Sequence, residues 1–245
     1  MPFAPIVLVP GFWLGAWAWD EVADLLRADG HIVSAITLPG LDGAAGADRD
    51  SVTFDDHVAA ICDAATSAAA PVVLAVHSGA GAPGYAASDR IADRIARMVY
   101  VDSGPATGPL DPDFAGDEWA LPPWDELDEN LDGITEAQLE TFRERAVPEP
   151  ASAIRGAAAL ENEARFDIPS IVICTSFPSD VIKAAVAEGQ NWIAGLAELR
   201  DVTYVDLPTS HWPMWSRPQD IADILAEQAV AAGRHPESDR RSGTP

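Results

Sequence analysis

Short apolar runs alternate along the chain with longer segments in which apolar residues recur at helical spacing. The apolar runs predict strands at residues 6–9, 31–38, 72–76, 95–101, 171–175 and 202–207. The helical spacing predicts helices at residues 17–28, 54–69, 80–88, 179–199 and 218–232. Strands that alternate with helices in this way predict an α/β fold class with a mostly parallel, doubly wound sheet. Ligands of such sheets bind beyond the carboxyl ends of the strands.

The alternation stops between residues 104 and 167, where the sequence is acidic, rich in proline and without a strand signal. This segment contains Trp119 and Trp124 and one amphipathic helix near residues 136–145. Because it lies between two core strands and its tryptophans need apolar surface to cover, we expect a small helical cap over the carboxyl edge of the sheet. The alternative is a loose surface excursion.

These boundaries predict how the chain is organised. An α/β core comprises residues 1–103 and 168–234, and the cap is inserted as residues 104–167, after the strand that ends at Asp102. Residues 235–245 are polar and lack periodicity, so we expect them to form a disordered tail.

Acidic residues far outnumber basic ones: Asp and Glu total 39 against 15 Lys and Arg, and the formal net charge of the 245 residues is −24. Such a field repels phosphate backbones and anionic membranes, so we expect a small-molecule partner and neither nucleic acid nor a membrane. No apolar stretch approaches the ~20 residues needed to span a bilayer. Because no basic region precedes the first strand, we expect no signal peptide and a cytoplasmic location.

The two cysteines, Cys62 and Cys174, lie in apolar contexts without companions at metal-ligand spacing. We therefore expect two buried free thiols, no metal and no cofactor. The oligomeric state stays open, with a homodimer as one option.

The segment from Pro71 to Gly81 (PVVLAVHSGAG) carries the clearest chemical signal. An apolar strand stops at His77, and small residues follow Ser78 at once. A tight turn from a strand into a helix exposes the turn residue at the carboxyl edge, where the N–H groups of the next helix face whatever it attacks. We therefore interpret Ser78 as a candidate nucleophile. The usual pattern has glycine where this chain has Val76 and Ala80, so a plain Ser-Gly loop is the alternative.

A serine nucleophile needs a base at neutral pH, and the chain has five histidines. Four of them do not suit the role. His235 is expected in the tail, and His31 is expected at the opposite edge of the sheet. His57 is expected to be exposed on a helix, and the side chain of His77 is expected to point away from the turn. His211 follows the last strand, at the same edge as Ser78, and is the candidate base. The alternative is a loop histidine packed by Trp212.

Four segments together resemble the α/β-hydrolase fold proteins, close to the small esterase group that includes the plant methylesterases and hydroxynitrile lyases. They are residues 7–19 (VLVPGFWLGAWAW), residues 31–41 (HIVSAITLPGL), the serine segment and residues 210–213 (SHWP). The similarity extends over roughly residues 5–232. It implies an α/β-hydrolase fold and serine hydrolase chemistry, with Ser78 as the nucleophile and His211 as the general base.

The resemblance also implies an oxyanion hole formed by the backbone N–H groups of Phe12 and Gly79. The family usually has His-Gly in the loop after the first strand, whereas this chain has Pro10 and Gly11 there. The N–H group of Phe12 survives this change, but the hydrogen bonds of the usual histidine do not. The anchoring of this loop is therefore an open point.

The acid partner of His211 has two candidates. The family most often places it after the next-to-last strand, where Asp180 is the nearby carboxylate, but Asp180 also suits the first turn of a helix. Some members of the fold take the acid from the strand after the nucleophile strand, which ends here at Asp102, although Asp102 could equally form a turn. We favour Asp102 and keep Asp180 as the alternative.

Several tryptophans are predicted in the cap or on loops at the carboxyl edge of the sheet: Trp13, Trp119, Trp124, Trp212 and Trp215. We hypothesise that they line an apolar substrate pocket, whereas Trp17 and Trp19 serve the packing of the first helix.

An apolar pocket in a strongly negative protein favours a small, neutral, hydrophobic carboxylic ester, cleaved through an acyl-enzyme. Two alternatives stay open. A non-hydrolytic lyase on the same scaffold would need a cation in the pocket, and Lys183 is predicted on the far side. A ligand-binding protein with a degenerate site is kept open by Val76 and by the missing loop histidine.

Overall fold

The computed structural model describes residues 3–43 and 49–233. The strands are β1 (Ile6–Val9), β2 (Val33–Ala35), β3 (Val72–His77), β4 (Ile95–Val101), β5 (Glu118–Trp119), β6 (Glu149–Pro150), β7 (Ser170–Cys174) and β8 (Val202–Asp206). Within the described residues, six of these strands form one parallel sheet in the order β2-β1-β3-β4-β7-β8. The predicted α/β class with a parallel central sheet is therefore confirmed.

Helices flank this sheet on both faces. They are α1 (Asp20–Ala28), α2 (Phe54–Ser67), α3 (Gly81–Arg90), α4 (Glu136–Arg145), α5 (Ala151–Arg155), α6 (Ser179–Ala187), α7 (Pro213–Ser216) and α8 (Pro218–Ala232). Short 3-10 helices span Ala16–Trp19, Arg49–Ser51, Ser78–Ala80, Ala92–Arg94, Glu163–Asp167 and Asn191–Ala197. No helix in the described ranges is long and apolar enough to cross a bilayer.

Alternate side chains of the central strands enter two cores, one on each face of the sheet. In β3, Val73 and Ala75 pack with residues of α1 and α8, whereas Leu74 and Val76 pack with residues of α2 and α3. All of β3 is buried, as expected for a central parallel strand. Each buried Val or Leu contributes about 1.5–3 kcal/mol to the stability of the folded state. The strand that ends next to Ser78 is therefore firmly held in the core.

Local sequence signals explain the start of α2 and the end of α6. Thr53 accepts a hydrogen bond from the backbone N–H of Asp56, whose side chain bonds back to the backbone N–H of Thr53, so α2 begins with a capping box. The helix predicted over residues 179–199 is instead broken. It ends at Ala187, because Gly189 turns the chain with a φ of 73°. A 3-10 helix (Asn191–Ala197) follows this turn.

Residues 104–167, called the cap segment, contain the predicted helix and two strands that were not predicted. Helix α4 has the predicted bounds and begins with a capping box formed by Thr135 and Gln138. The expected absence of strands was wrong, because β5 and β6 pair in an antiparallel ladder in which Trp119 lies opposite Glu149. Two-residue strands depend on their partner across the cap rather than on local alternation.

The strand predicted over residues 31–38 shortens to β2, because its pairing with the short β1 ends where Leu8 meets Ala35. The tail predicted at residues 235–245 lies outside the described residues.

Candidate active site

Ser78 lies at the turn from β3 into α3, in a left-handed conformation with a φ of 48°. Such a conformation is rare for a residue with a side chain, and the surroundings must hold it. Two glycines allow the chain to pack closely around it. A Cβ atom on Gly11 would lie 2.6 Å from Cβ of Ser78, and one on Gly79 would lie 2.4 Å from the ring of Phe12. A side chain at either position would force Ser78 or the ring of Phe12 to move.

The unusual Val76 is accommodated by a glycine further along. A Cβ atom on Gly84 in α3 would lie 2.6 Å from Cγ1 of Val76, so Gly84 makes room for the branched side chain. The close approach of α3 to β3 is thus kept, although the usual glycine of the turn is missing.

A continuous chain of hydrogen bonds links the serine to an imidazole and a carboxylate. Oγ of Ser78 lies 2.8 Å from Nε2 of His211, and Nδ1 of His211 lies 2.6 Å from Oδ2 of Asp102. His211 is buried and sits between β8 and α7. Its backbone N–H donates to the carbonyl of Asn130 at 2.8 Å, so the cap segment fixes the loop that carries the histidine.

Asp102 is held by the end of the neighbouring strand β7. It accepts hydrogen bonds from the backbone N–H groups of Thr175 and Ser176, both at 3.0 Å, and from the hydroxyl of Ser176 at 2.5 Å. Burial alone would raise the pKa of Asp102, but the hydrogen bonds from His211 and Ser176 outweigh it and hold that pKa well below its usual value. An ionised Asp102 is suited to orient the imidazole.

The structure does not bring the alternative acid Asp180 to the histidine. Asp180 is exposed in the first turn of α6, where Oδ1 accepts a hydrogen bond from the N–H of Val181 at 2.9 Å. Asp180 therefore has the alternative role that the sequence suggested, in the first turn of its own helix.

His77 and Glu129 contact the site, although sequence analysis did not select them. The buried Nε2 of His77 donates to the carbonyl of His211 at 2.7 Å, and burial lowers the pKa of His77 to about 3, so its ring is neutral. Oε2 of Glu129 lies 3.4 Å from Nδ1 of His211, and burial raises the pKa of Glu129. Only the adjacency of His77 to Ser78 is visible in the sequence.

A cavity of about 470 Å³ opens over the serine. Its described aromatic lining consists of Phe12, Trp13, Trp119, Phe177 and Trp192. The predicted pocket residues Trp13 and Trp119 are therefore at the cavity. Trp192 was missed because its segment was predicted as a continuation of α6. The turn at Gly189 carries it to the cavity instead.

The proposed pocket residues Trp124 and Trp212 do not line this cavity, and neither does Trp215. Trp212 is 1% exposed and packs in the core, with its ring stacked on that of Trp215 at 6.2 Å. The ring of Trp124 lies 5.6 Å from that of Phe142 and is covered by the guanidinium of Arg143 at 4.1 Å. These rings pack α4 and α7 against the core. Apolar burial, rather than contact with a ligand, therefore explains why tryptophan occupies these positions.

Cys174 lines the cavity, and Cys62 is partly exposed; both are free thiols. Burial raises the pKa of Cys174 to about 12, so the group stays a neutral thiol. It is therefore a poor rival to Ser78 as a nucleophile. His57, predicted exposed, is instead buried, with Nε2 bonded to the carbonyl of Pro39 at 2.9 Å.

Comparisons with known proteins agree with this architecture. The chain is 38% identical over 99 residues to Esterase PIR7B from Oryza sativa subsp. japonica, which covers 39% of this chain and 37% of that protein. It is 33% identical over 101 residues to a carbendazim hydrolyzing esterase from Nocardioides sp. (strain SG-4G), covering 41% and 42%. The matches thus span well under half the length of these curated relatives.

Among solved structures, an extracellular alpha/beta-hydrolase from a Paenibacillus species superposes with a TM-score of 0.71 at 22% identity. The superposition covers 95% of this chain and 100% of that one, which shows a shared fold. The sequence model of the alpha/beta hydrolase family matches residues 6–224. Because this match spans nearly all of the described sheet and both ends of the Ser78–His211 pair, the chain belongs to the alpha/beta hydrolase family.

Proposed function

We propose that the chain is a serine esterase that cleaves small, neutral, hydrophobic carboxylic esters through an acyl-enzyme. The observation that carries the proposal is the unbroken hydrogen-bond chain from Oγ of Ser78 through His211 to Asp102, at the floor of an aromatic-lined cavity. The naming of the rice relative as an esterase supports the same class of reaction.

In the first half-reaction, Oγ of Ser78 attacks the ester carbonyl while Nε2 of His211 takes the hydroxyl proton. The oxyanion that forms accepts hydrogen bonds from the backbone N–H groups of Phe12 and Gly79, which lie beside Ser78 at the cavity. His211 then gives its proton to the leaving alcohol. In the second half-reaction His211 takes a proton from water, whose oxygen attacks the acyl-serine, and Ser78 leaves with that proton.

The substrate class follows from the charges around the cavity. The described lining contains Glu129 and Asp102 and has no Lys or Arg. Together with the net charge of −24, these carboxylates disfavour an anionic substrate, and the aromatic rings favour an apolar one.

A pair of esters with acyl chains of equal length tests this substrate class. We expect kcat/KM for p-nitrophenyl butyrate to exceed that for the anionic mono-p-nitrophenyl succinate by about tenfold or more, because the bound succinate would face Glu129. Glu129→Gln should reduce the ratio of the two kcat/KM values. The matched control is Asp128→Asn, which should leave the ratio unchanged, because Asp128 is an adjacent exposed carboxylate that does not line the cavity. Equal constants for the two esters would remove the charge argument, and hydrolysis of neither would remove the esterase proposal.

The two alternatives from sequence gain no support. A lyase of the kind considered would need a cation in the cavity, but Nζ of Lys183 lies over the ring of Tyr204 at 4.7 Å, and neither residue lines the cavity. A degenerate binding site does not explain why the serine, imidazole and carboxylate stay within hydrogen-bond distance of one another.

A further inference from the structure

The loop after β1 (residues 10–14, called the β1 loop) holds a strained residue. Trp13 adopts a φ of 65°, in the left-handed region that a bulky side chain rarely enters. Such a conformation persists only where the surroundings impose it. The neighbouring Phe12 carries the N–H group assigned to the oxyanion hole, so whatever fixes Trp13 also sets the direction of that N–H group.

Three hydrogen bonds hold Trp13, and all of them come from the cap segment. The backbone N–H of Trp13 donates to Oε2 of Glu149 at 3.2 Å. The backbone carbonyl of Trp13 accepts from the N–H of Val147 at 3.0 Å, and the indole N–H donates to the carbonyl of Trp119 at 2.8 Å. The β1 loop is therefore clamped by the β5–β6 ladder and by Val147, which precedes β6.

Glu149 is the unusual member of this clamp. Its side chain is buried, with the residue only 1% exposed, although carboxylates are rarely found there without a charged partner. It lines a small pocket together with Phe12, Gly79 and His57, so it lies close to both residues of the proposed oxyanion hole. Burial raises the pKa of Glu149 to about 8, so the group is mostly a neutral acid at pH 7.

We propose that Glu149 is a positioning residue for the oxyanion hole, holding the backbone of Trp13 so that the N–H of Phe12 is aimed at the reacting carbonyl. This inference rests on the proposed esterase function, and the acceptor oxygen rather than a negative charge is what matters.

Three variants separate positioning from mere packing. Glu149→Gln keeps an oxygen acceptor in the shape of a neutral acid. Glu149→Asp keeps the acid but withdraws it by one methylene group, and Glu149→Leu removes the acceptor. With p-nitrophenyl butyrate, we expect kcat to fall by about tenfold to 10²-fold in the Asp and Leu variants, with KM changed less than about threefold, because a misaimed oxyanion donor acts on the transition state. The Gln variant should stay within about threefold of the parent.

Two further measurements make the test independent of folding and of the assumed reaction. The affinity for phenylboronic acid, which forms a tetrahedral adduct on the serine, should weaken in parallel with kcat. Amide exchange of residues 11–14 should accelerate in the Leu variant. Glu118→Leu is the matched control: it lies in the same ladder, is exposed and bonds to Arg49, and it should alter neither quantity.

The proposal is overturned if folded Glu149→Asp keeps kcat within about threefold of the parent, or if Glu149→Gln loses as much as Glu149→Leu. Should the Leu variant fail to fold, the Asp variant decides. If the parent protein hydrolyses no ester, the proposed function fails. The rate of amide exchange in residues 11–14 then decides separately whether Glu149 holds the β1 loop. Unchanged exchange in a folded Asp or Leu variant would overturn the clamp itself.

Discussion

Replacing Ser78 with alanine is expected to lower kcat for p-nitrophenyl butyrate by about 10⁶-fold, the loss typical of a missing nucleophile in this kind of site. The variant lacks only the hydroxyl that lies 2.8 Å from Nε2 of His211, so the imidazole loses the group whose proton it would take. Steady-state kinetics on the purified variant measure the loss. A melting curve unchanged within a few degrees would show that the fold is kept.

Ser88→Ala is the matched control for this substitution. Ser88 is buried in α3, the helix that follows the nucleophile turn, and its hydroxyl donates to the carbonyl of Tyr85 at 2.7 Å, away from the cavity. It should keep full activity. A Ser78→Ala variant that retains more than about 1% of the parent activity would contradict the assignment of the nucleophile.

Asp102→Asn is expected to lower kcat by about 10⁴-fold. The ionised Asp102 accepts from Nδ1 of His211 at 2.6 Å, which leaves Nε2 free to take the serine proton. An amide in its place can present its NH₂ group to the ring, favour the wrong tautomer and fail to stabilise the imidazolium. The measurement is kcat together with KM, and we expect the loss in kcat.

Two other carboxylates serve as comparisons for Asp102→Asn. Asp180→Asn should change kcat less than about twofold, because this exposed side chain bonds to its own helix. Glu129→Gln should change kcat for the neutral ester less than about tenfold, because Glu129 is 3.4 Å from Nδ1 and Asp102 already occupies that position. If Asp180→Asn lost more activity than Asp102→Asn, the acid would be assigned wrongly.

The sheet could be predicted because its signals are local. Each central strand is an apolar run bounded by turn residues, as Val72–His77 illustrates, and periodicity recovers such runs directly. The strand order could not be predicted, since it depends on contacts between distant segments. The same reason explains the missed β5–β6 ladder, in which Trp119 meets a residue 30 positions away in the chain. The missed break in the helix was avoidable, because Gly189 is a visible C-terminal signal.

The candidate site divides in the same way. Ser78 and His211 could be proposed as partners because each follows a parallel strand, and parallel strands end at one edge. The choice between Asp102 and Asp180 needed the fold, because both follow strands near that edge. Glu149 has no local signal at all, since its role depends on a contact with Trp13 across the cap. Sequence likewise could not separate core tryptophans such as Trp212 from those at the cavity.

Labelling with a fluorophosphonate, followed by peptide mass spectrometry to locate the adduct, tests whether His211 activates the hydroxyl of Ser78. We expect one stoichiometric adduct on Ser78, none in Ser78→Ala, and labelling slowed by about 10³-fold or more in His211→Ala, because the imidazole activates the hydroxyl. An adduct on another residue, or labelling of His211→Ala at the parental rate, would contradict these roles of Ser78 and His211.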